Sequence, residues 1–293
     1  MKIFDCSMYF DEDMLLDVRL NILDKYVDKF IIVESKYLHS GKEKTLNFNI
    51  KNFTKYKNKI EYLVLNENPK NIELIQNSDN NRAKEVKRLN NALRRENFQR
   101  NFIMKGLHEA EDEDLVLISD IDEIPELSQL KNIKKINMFV QKMIYYKFNL
   151  MQPNMNWCGT RACKKKYLIS PQWLRNIKDK SYPFWRFDTI FSKKKFQNIN
   201  FIQNGGWHFT SIKSPKDIFY KLSNFLHHHE FEESGLTEND MKKMISEEVI
   251  LYDHSVDKTL NKYTGNQKLV KINDNELPRY LIENKQKFFE WFV

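Results

Sequence analysis

Apolar residues in the first 125 positions come in short blocks divided by polar stretches. Residues 2–6 (KIFDC) read as an opening strand, and residues 30–34 (FIIVE) form an apolar run that ends in a carboxylate. Continuous apolar runs of this length fit parallel strands covered on both faces. Between them Leu16, Leu20, Leu23 and Val27 recur at helical spacing, which predicts a helix across 13–28. Residues 60–65 (IEYLVL) and 115–119 (LVLIS) predict two further strands. A long polar helix is predicted over 82–106, with Gly106 near its stop. Strands alternating with helices predict a parallel α/β layer.

The second half has a different rhythm. Residues 139–150 (FVQKMIYYKFNL) are aromatic and strand-like, and residues 157–210 hold at most five strand-length pieces. Helices are expected over 217–231 and 238–251, and a C-terminal amphipathic helix over 277–292. No linker or internal repeat interrupts the 293 residues, so the expectation is one α/β domain with a mixed, elaborated second half.

Composition narrows the classes. Aromatic residues make up 13% of the chain, too many for a disordered protein. No apolar run reaches the ~18 residues of a membrane span, and no secretory signal is read at the start. Three cysteines without a CxxC argue against a disulfide framework. A soluble, cytoplasmic protein is expected. The net charge of +8 comes from 38 Lys and only 10 Arg, alongside 31 Asn and 4 Ala. That balance matches AT-rich codon usage loading lysine onto a solvated surface. A nucleic-acid footprint would favour clustered arginine or an arginine/aromatic stripe, so no nucleic-acid partner is expected.

The sharpest chemical feature is LVLISDIDEIP at 115–125. A buried strand stops at two acids spaced i, i+2, at the strand end where open α/β sheets bind ligands. Alternate residues of extended chain point the same way, so Asp120 and Asp122 can face one site. Their hard oxygens suit a divalent cation that neutralises a leaving diphosphate. The plainer alternative is an acidic turn with a helix N-cap at Asp122. Glu34 ends an earlier strand in the same way and can accept hydrogen bonds from a base or ribose; a solvated strand end is the alternative. His39-Ser40-Gly41-Lys42 follows as a weak phosphate-loop signal. Arg88, Arg95 and Arg100 lie on the helix leading into the acidic strand, and arginine is the bidentate partner of a diphosphate. Glu96 and Arg100 also allow a plain i, i+4 surface pair.

A second cluster is Asn204-Gly205-Gly206-Trp207-His208-Phe209. Paired glycines permit close backbone approach. Trp207 offers a face for a sugar ring, and His208 is a candidate metal or phosphate ligand. A glycine turn before a core tryptophan is the alternative. A third cluster, His227-His228-His229-Glu230, puts consecutive histidines in different directions on a helix, so they cannot all hold one ion. Glu230 remains a candidate general base.

Taken in order, Phe4-Asp5, residues 31–35 with His39-Ser40-Gly41, residues 95–100 (RENFQR), residues 118–125 (ISDIDEIP) and residues 205–209 (GGWHF) resemble glycosyltransferase family 17. The resemblance covers nearly the whole chain. It implies a GT-A-like nucleotide-diphospho-sugar fold with a mixed central sheet flanked by helices. Residues 1–125 would form the nucleotide-sugar half and 126–293 the acceptor half. It also implies a UDP-GlcNAc-type donor, a glycan acceptor, a divalent cation (Mn²⁺, or Mg²⁺) and inversion at the anomeric carbon. Asp120 and Asp122 match the DxD acids and would hold the metal with His208. Glu34, Arg95, Arg100, Asp120, Gly206 and Trp207 would bind the donor. Glu230 is the first choice of catalytic base and Asp188, in WRFDTIF, the second. The alternatives are another UDP-hexose donor on the same fold, or a basic nucleic-acid-binding protein or nuclease with an acidic metal site.

Overall fold

A computed structural model describes residues 1–183, 185–189, 191–224, 231–232, 234–250 and 267–293. Its centre is a mixed sheet of ten strands. Four parallel strands form one side: β1 (Ile3–Tyr9), β2 (Lys29–Ser35), β3 (Ile60–Leu65) and β4 (Leu115–Asp120), ordered β3-β2-β1-β4. These match the predicted strands within a few residues. In β4, Leu115 and Leu117 enter one apolar cluster while Val116 and Ile118 enter the other. Both faces are therefore covered, which explains the unbroken apolar run.

Helix α1 (Asp13–Leu23) covers one face with Leu15, Leu16, Val18, Leu20 and Leu23. It is shorter than the predicted 13–28, although Val27 still joins the same core. Helix α2 (Asn81–Phe102) is capped by Asn80, whose side chain accepts from the Ala83 amide at 2.9 Å. It is polar as expected, and a short 3-10 turn, Ile103–Leu107, continues it onto the opposite face.

The sheet continues without a break into the second half. After the short β5 (Glu123–Pro125), β6 (Ile136–Tyr145) and the long β7 (Leu150–Lys164) pair antiparallel, and β7 also pairs β4. Strand β8 (Ile199–Ile202) and strand β9 (Gly206–Thr210) run parallel to β6. Strand β9 then closes the path by pairing antiparallel with β5. Three short helices complete the site side and its support: α3 (Pro171–Asn176), α4 (Pro215–Leu222) and α5 (Glu238–Glu247). Serines cap α3 and α4, each followed by proline at the first helical position. The predicted C-terminal helix is interrupted. It becomes α6 (Arg279–Glu283) and a 3-10 segment, Lys285–Trp291, with Phe288 out of helical geometry so that its ring packs against Phe148.

Candidate active site

The two motifs that stand 80 residues apart in sequence are hydrogen-bonded neighbours. Glu123 pairs with His208, Ile124 with Trp207 and Pro125 with Gly206 across the β5–β9 ladder. The approach is close enough to demand glycine. Gly206 has φ +119°, and a Cβ there would lie 2.2 Å from the Ile124 carbonyl oxygen. The Phe209 amide also donates to the Asp122 carbonyl at 2.8 Å.

A cleft of about 240 Å³ opens where β1, β2 and β4 end. Asp120, Asp122, His208, Arg100 and Lys221 line it, with Glu12, His39, Lys44, Gln99 and Asn224. Asp120 carries an arginine on each oxygen: Arg100 at 3.0 Å on Oδ1 and Arg175 at 3.1 Å on Oδ2. Burial pushes its pKa up, but Arg175 and Arg100 outweigh this and bring it down to about 2. Asp122 faces His208 Nε2 at 3.5 Å and the Lys221 ammonium Nζ at 3.4 Å. Burial opposes its charge, yet Lys221 and His208 hold it well below the ordinary carboxylate range. His208 responds in kind: burial lowers its pKa, Asp122 more than reverses this, and the net shift is upward. Its Nδ1 is buried without a hydrogen-bond partner, beside the Trp157 ring at 5.3 Å.

Glu123, fully buried, is the hinge of the turn. Its carboxylate accepts from Arg175 at 2.7 and 2.9 Å, from Trp157 Nε1 at 2.7 Å and from the Asp120 amide at 3.0 Å. Beneath the turn lies Arg19, fully buried on α1. It forms a two-pronged pair with Asp5 at 2.6 and 2.7 Å. Its remaining donors reach the carbonyls of Asp120 at 3.2 Å and Glu123 at 2.7 Å, and the Ser119 hydroxyl at 2.9 Å. One side chain thus fixes the backbone that carries both acids.

The other anticipated residues take different places. Glu34 is fully buried below the cleft lining. It accepts from Lys44, from the amides of Asn47 at 2.8 Å and Phe48 at 3.1 Å, and from Tyr62 at 2.7 Å. Both its oxygens serve to order residues 44–48, and no acceptor is turned to a ligand. Arg95 braces the 39–41 loop, donating to Asn68 at 2.9 Å and to the His39 carbonyl at 3.2 Å. Arg88 is exposed outside the cleft. Trp207 points to the opposite face from His208, because successive strand residues point to opposite faces. It is buried in the core, stacked with Phe209 and donating to the Glu276 carbonyl at 2.8 Å. A sugar-stacking role would need it on the other face. Asp188 sits on an exposed turn, away from the cleft lining, paired with Arg186 at 2.7 Å and Lys195 at 2.8 Å. Those two cations hold its carboxyl well below the ordinary range, which suits an ion-pair anchor more than a base. Glu230, with His227, His228 and His229, lies outside the described residues.

A carboxylate oxygen and an imidazole nitrogen side by side, at Asp122 and His208, can serve a divalent cation such as Mn²⁺. Asp120 does not join them, because its oxygens turn to the arginines. Among the described residues one trio of ligand atoms lies within 4.8 Å, Glu61, His108 and Glu109, and there Lys29 already sits 2.7 Å from Glu109.

A model of glycosyltransferase family 17 matches residues 1–292. The chain belongs to glycosyltransferase family 17. No curated protein matches it. This glycosyltransferase is an enzyme whose partners are a sugar donor and an acceptor. Among its described residues no helix is long and apolar enough to cross a membrane. The residues of the candidate site that sequence reasoning missed are Arg19, Arg175, Lys221 and Trp157. Arg19 left a faint signal: it falls three residues after Leu16 and four before Leu23, on the apolar face of its helix. Arg175 and Lys221 left none, because they reach the acids through tertiary packing of α3 and α4.

Proposed function

We propose that this family 17 glycosyltransferase moves a sugar, GlcNAc in the first instance, from a UDP-sugar to a glycan hydroxyl by single displacement with inversion. The arrangement is read as GT-A-like, with residues 1–125 on the donor side and 126–293 on the acceptor side. One observation carries the reading: an acidic turn at the end of a parallel strand shares a cleft with His208, Arg100 and Lys221. Asp122 and His208 would hold the divalent cation, Mn²⁺ or Mg²⁺, which when bound offsets charge on the diphosphate. Arg100 and Lys221 add fixed positive charge at the same end of the cleft, and the raised pKa of Lys221 keeps it cationic. Asp120 orients Arg100 and Arg175 from its two oxygens. Glu34 supports the donor side indirectly through Lys44, and Arg95 does so through the 39–41 loop. Glu230 stands six residues beyond Asn224, a cleft residue, and is the proposed base.

Thermal shift with UDP, UDP-GlcNAc, UDP-galactose, UDP-glucose and DNA, with and without Mn²⁺, tests the reading. Stabilisation by UDP only when Mn²⁺ is present is the expected result, and the largest shift among the UDP-sugars names the donor. Asp122→Ala should weaken Mn²⁺-dependent UDP binding by roughly a hundredfold or more, beyond what loss of a supporting group alone costs. Full activity in that variant, or retention of the donor's α-configuration in product, would overturn the mechanism.

A further inference from the structure

The loop after α3 presents a surface outside the cleft lining. Trp185, Phe187 and Phe191 fall within seven residues and are 60%, 71% and 89% exposed. Several large exposed rings within one short loop mark a partner, since isolated exposed side chains are the norm. Around them, Lys178, Lys180, Arg186 and Lys193 to Lys195 stand against Asp179 and Asp188, a net charge of +4 over 178–195. The loop is tethered. The Lys178 amide donates to the Lys194 carbonyl at 2.8 Å, and Trp173 Nε1 to the Lys193 carbonyl at 2.7 Å. Asp188 binds Arg186 and Lys195 together. Tyr167 lies close by: Lys135 sits over both Tyr167 and Phe196, at 5.3 and 5.7 Å.

We propose that this loop docks the protein on an anionic phospholipid surface. Aromatic rings settle at the headgroup level of a bilayer, and nearby basic residues are drawn to anionic lipid. A partner recognised by charge alone has no use for three solvent-facing rings. A neutral glycan stacking on rings has no use for a net charge of +4. An anionic bilayer interface takes both at once.

The full chain is sedimented with vesicles of phosphatidylcholine alone and of phosphatidylcholine with phosphatidylglycerol. Binding is read without any sugar donor, so it stands or falls apart from the transfer chemistry. The wild type should bind only the anionic vesicles, and less as salt rises. The double variant F187S/F191S alters two exposed side chains, so thermal melting should show the fold intact. Its partition should drop by roughly tenfold or more. The blue shift of tryptophan emission on vesicle addition should shrink in Trp185→Phe. Absence of binding that depends on phosphatidylglycerol would overturn the proposal, as would unchanged binding by the double variant. A double variant that binds vesicles normally but shows a raised KM for a soluble glycan acceptor would assign the rings to the acceptor instead.

Discussion

Single side chains decide how the acidic turn is held. Arg19 is the most consequential, because it pairs with Asp5 and caps two carbonyls of the turn, all without solvent. Arg19→Met leaves the Asp5 charge buried and unpaired, which should cost about 3–5 kcal/mol of stability in urea unfolding. Replacing both, as D5L/R19M, should recover a good part of that loss while still weakening metal affinity, because the turn carbonyls stay uncapped. His39 supplies a pH signature. Burial holds its pKa below the ordinary 6.5, and Gln99 lies 3.4 Å from its Nε2. The unfolded chain takes up this proton first, so His39 makes stability fall as pH drops from about 6.5 towards the lowered folded value. His39→Gln should flatten that part of the profile; equal slopes in wild type and variant would show that His39 carries no such linkage. Asp120, Asp122 and His208 were legible because strand ends and glycine pairs leave marks in sequence. Glu34 and Trp207 were legible as special positions only. Which face each side chain took depended on neighbours that the local pattern does not encode.

At the scale of elements, the β5–β9 ladder is what makes one site from two motifs. Gly206→Ala meets the Ile124 carbonyl and a left-handed φ together, a strain of roughly 1–3 kcal/mol. The expected outcome is a lower melting temperature together with weaker Mn²⁺ binding, since the ladder sets His208 beside Asp122. A melting shift with unchanged metal affinity would show that the ladder does not position the ligands. The four parallel strands were read within a few residues, because buried strands write themselves as apolar runs. Helix α2 is a mixed case. Its arginines mark it as a candidate diphosphate helix, and Arg100 does reach the cleft lining, with Glu96 and Gln99 on the same side, whereas Arg88 and Arg95 do not. The C-terminal stretch departs from the single helix its spacing predicts: the apolar periodicity is present, but Phe288 breaks the helix to join the aromatic cluster around Phe148.

For the whole molecule, the sheet runs through both halves, with β7 paired to β4 on one side and β6 on the other. Neither half keeps a complete sheet edge if the other opens. Heating should therefore give one transition, coincident by far-UV circular dichroism and tryptophan fluorescence. Two separated transitions would show independent halves. The net charge of +8 reads differently once the fold is in view. Arg19, Arg100 and Arg175 are spent inside, on Asp5, Asp120 and Glu123, while lysine supplies most of the surface charge, including the loop beyond α3.

The Asp5–Arg19 pair also constrains how such a chain changes over time. Neither residue can be exchanged first without stranding its partner's charge in the core. A lineage must replace both in quick succession or keep both. The acidic turn above them therefore drifts less freely than its own exposure suggests, because its history is tied to two residues that never meet the substrate.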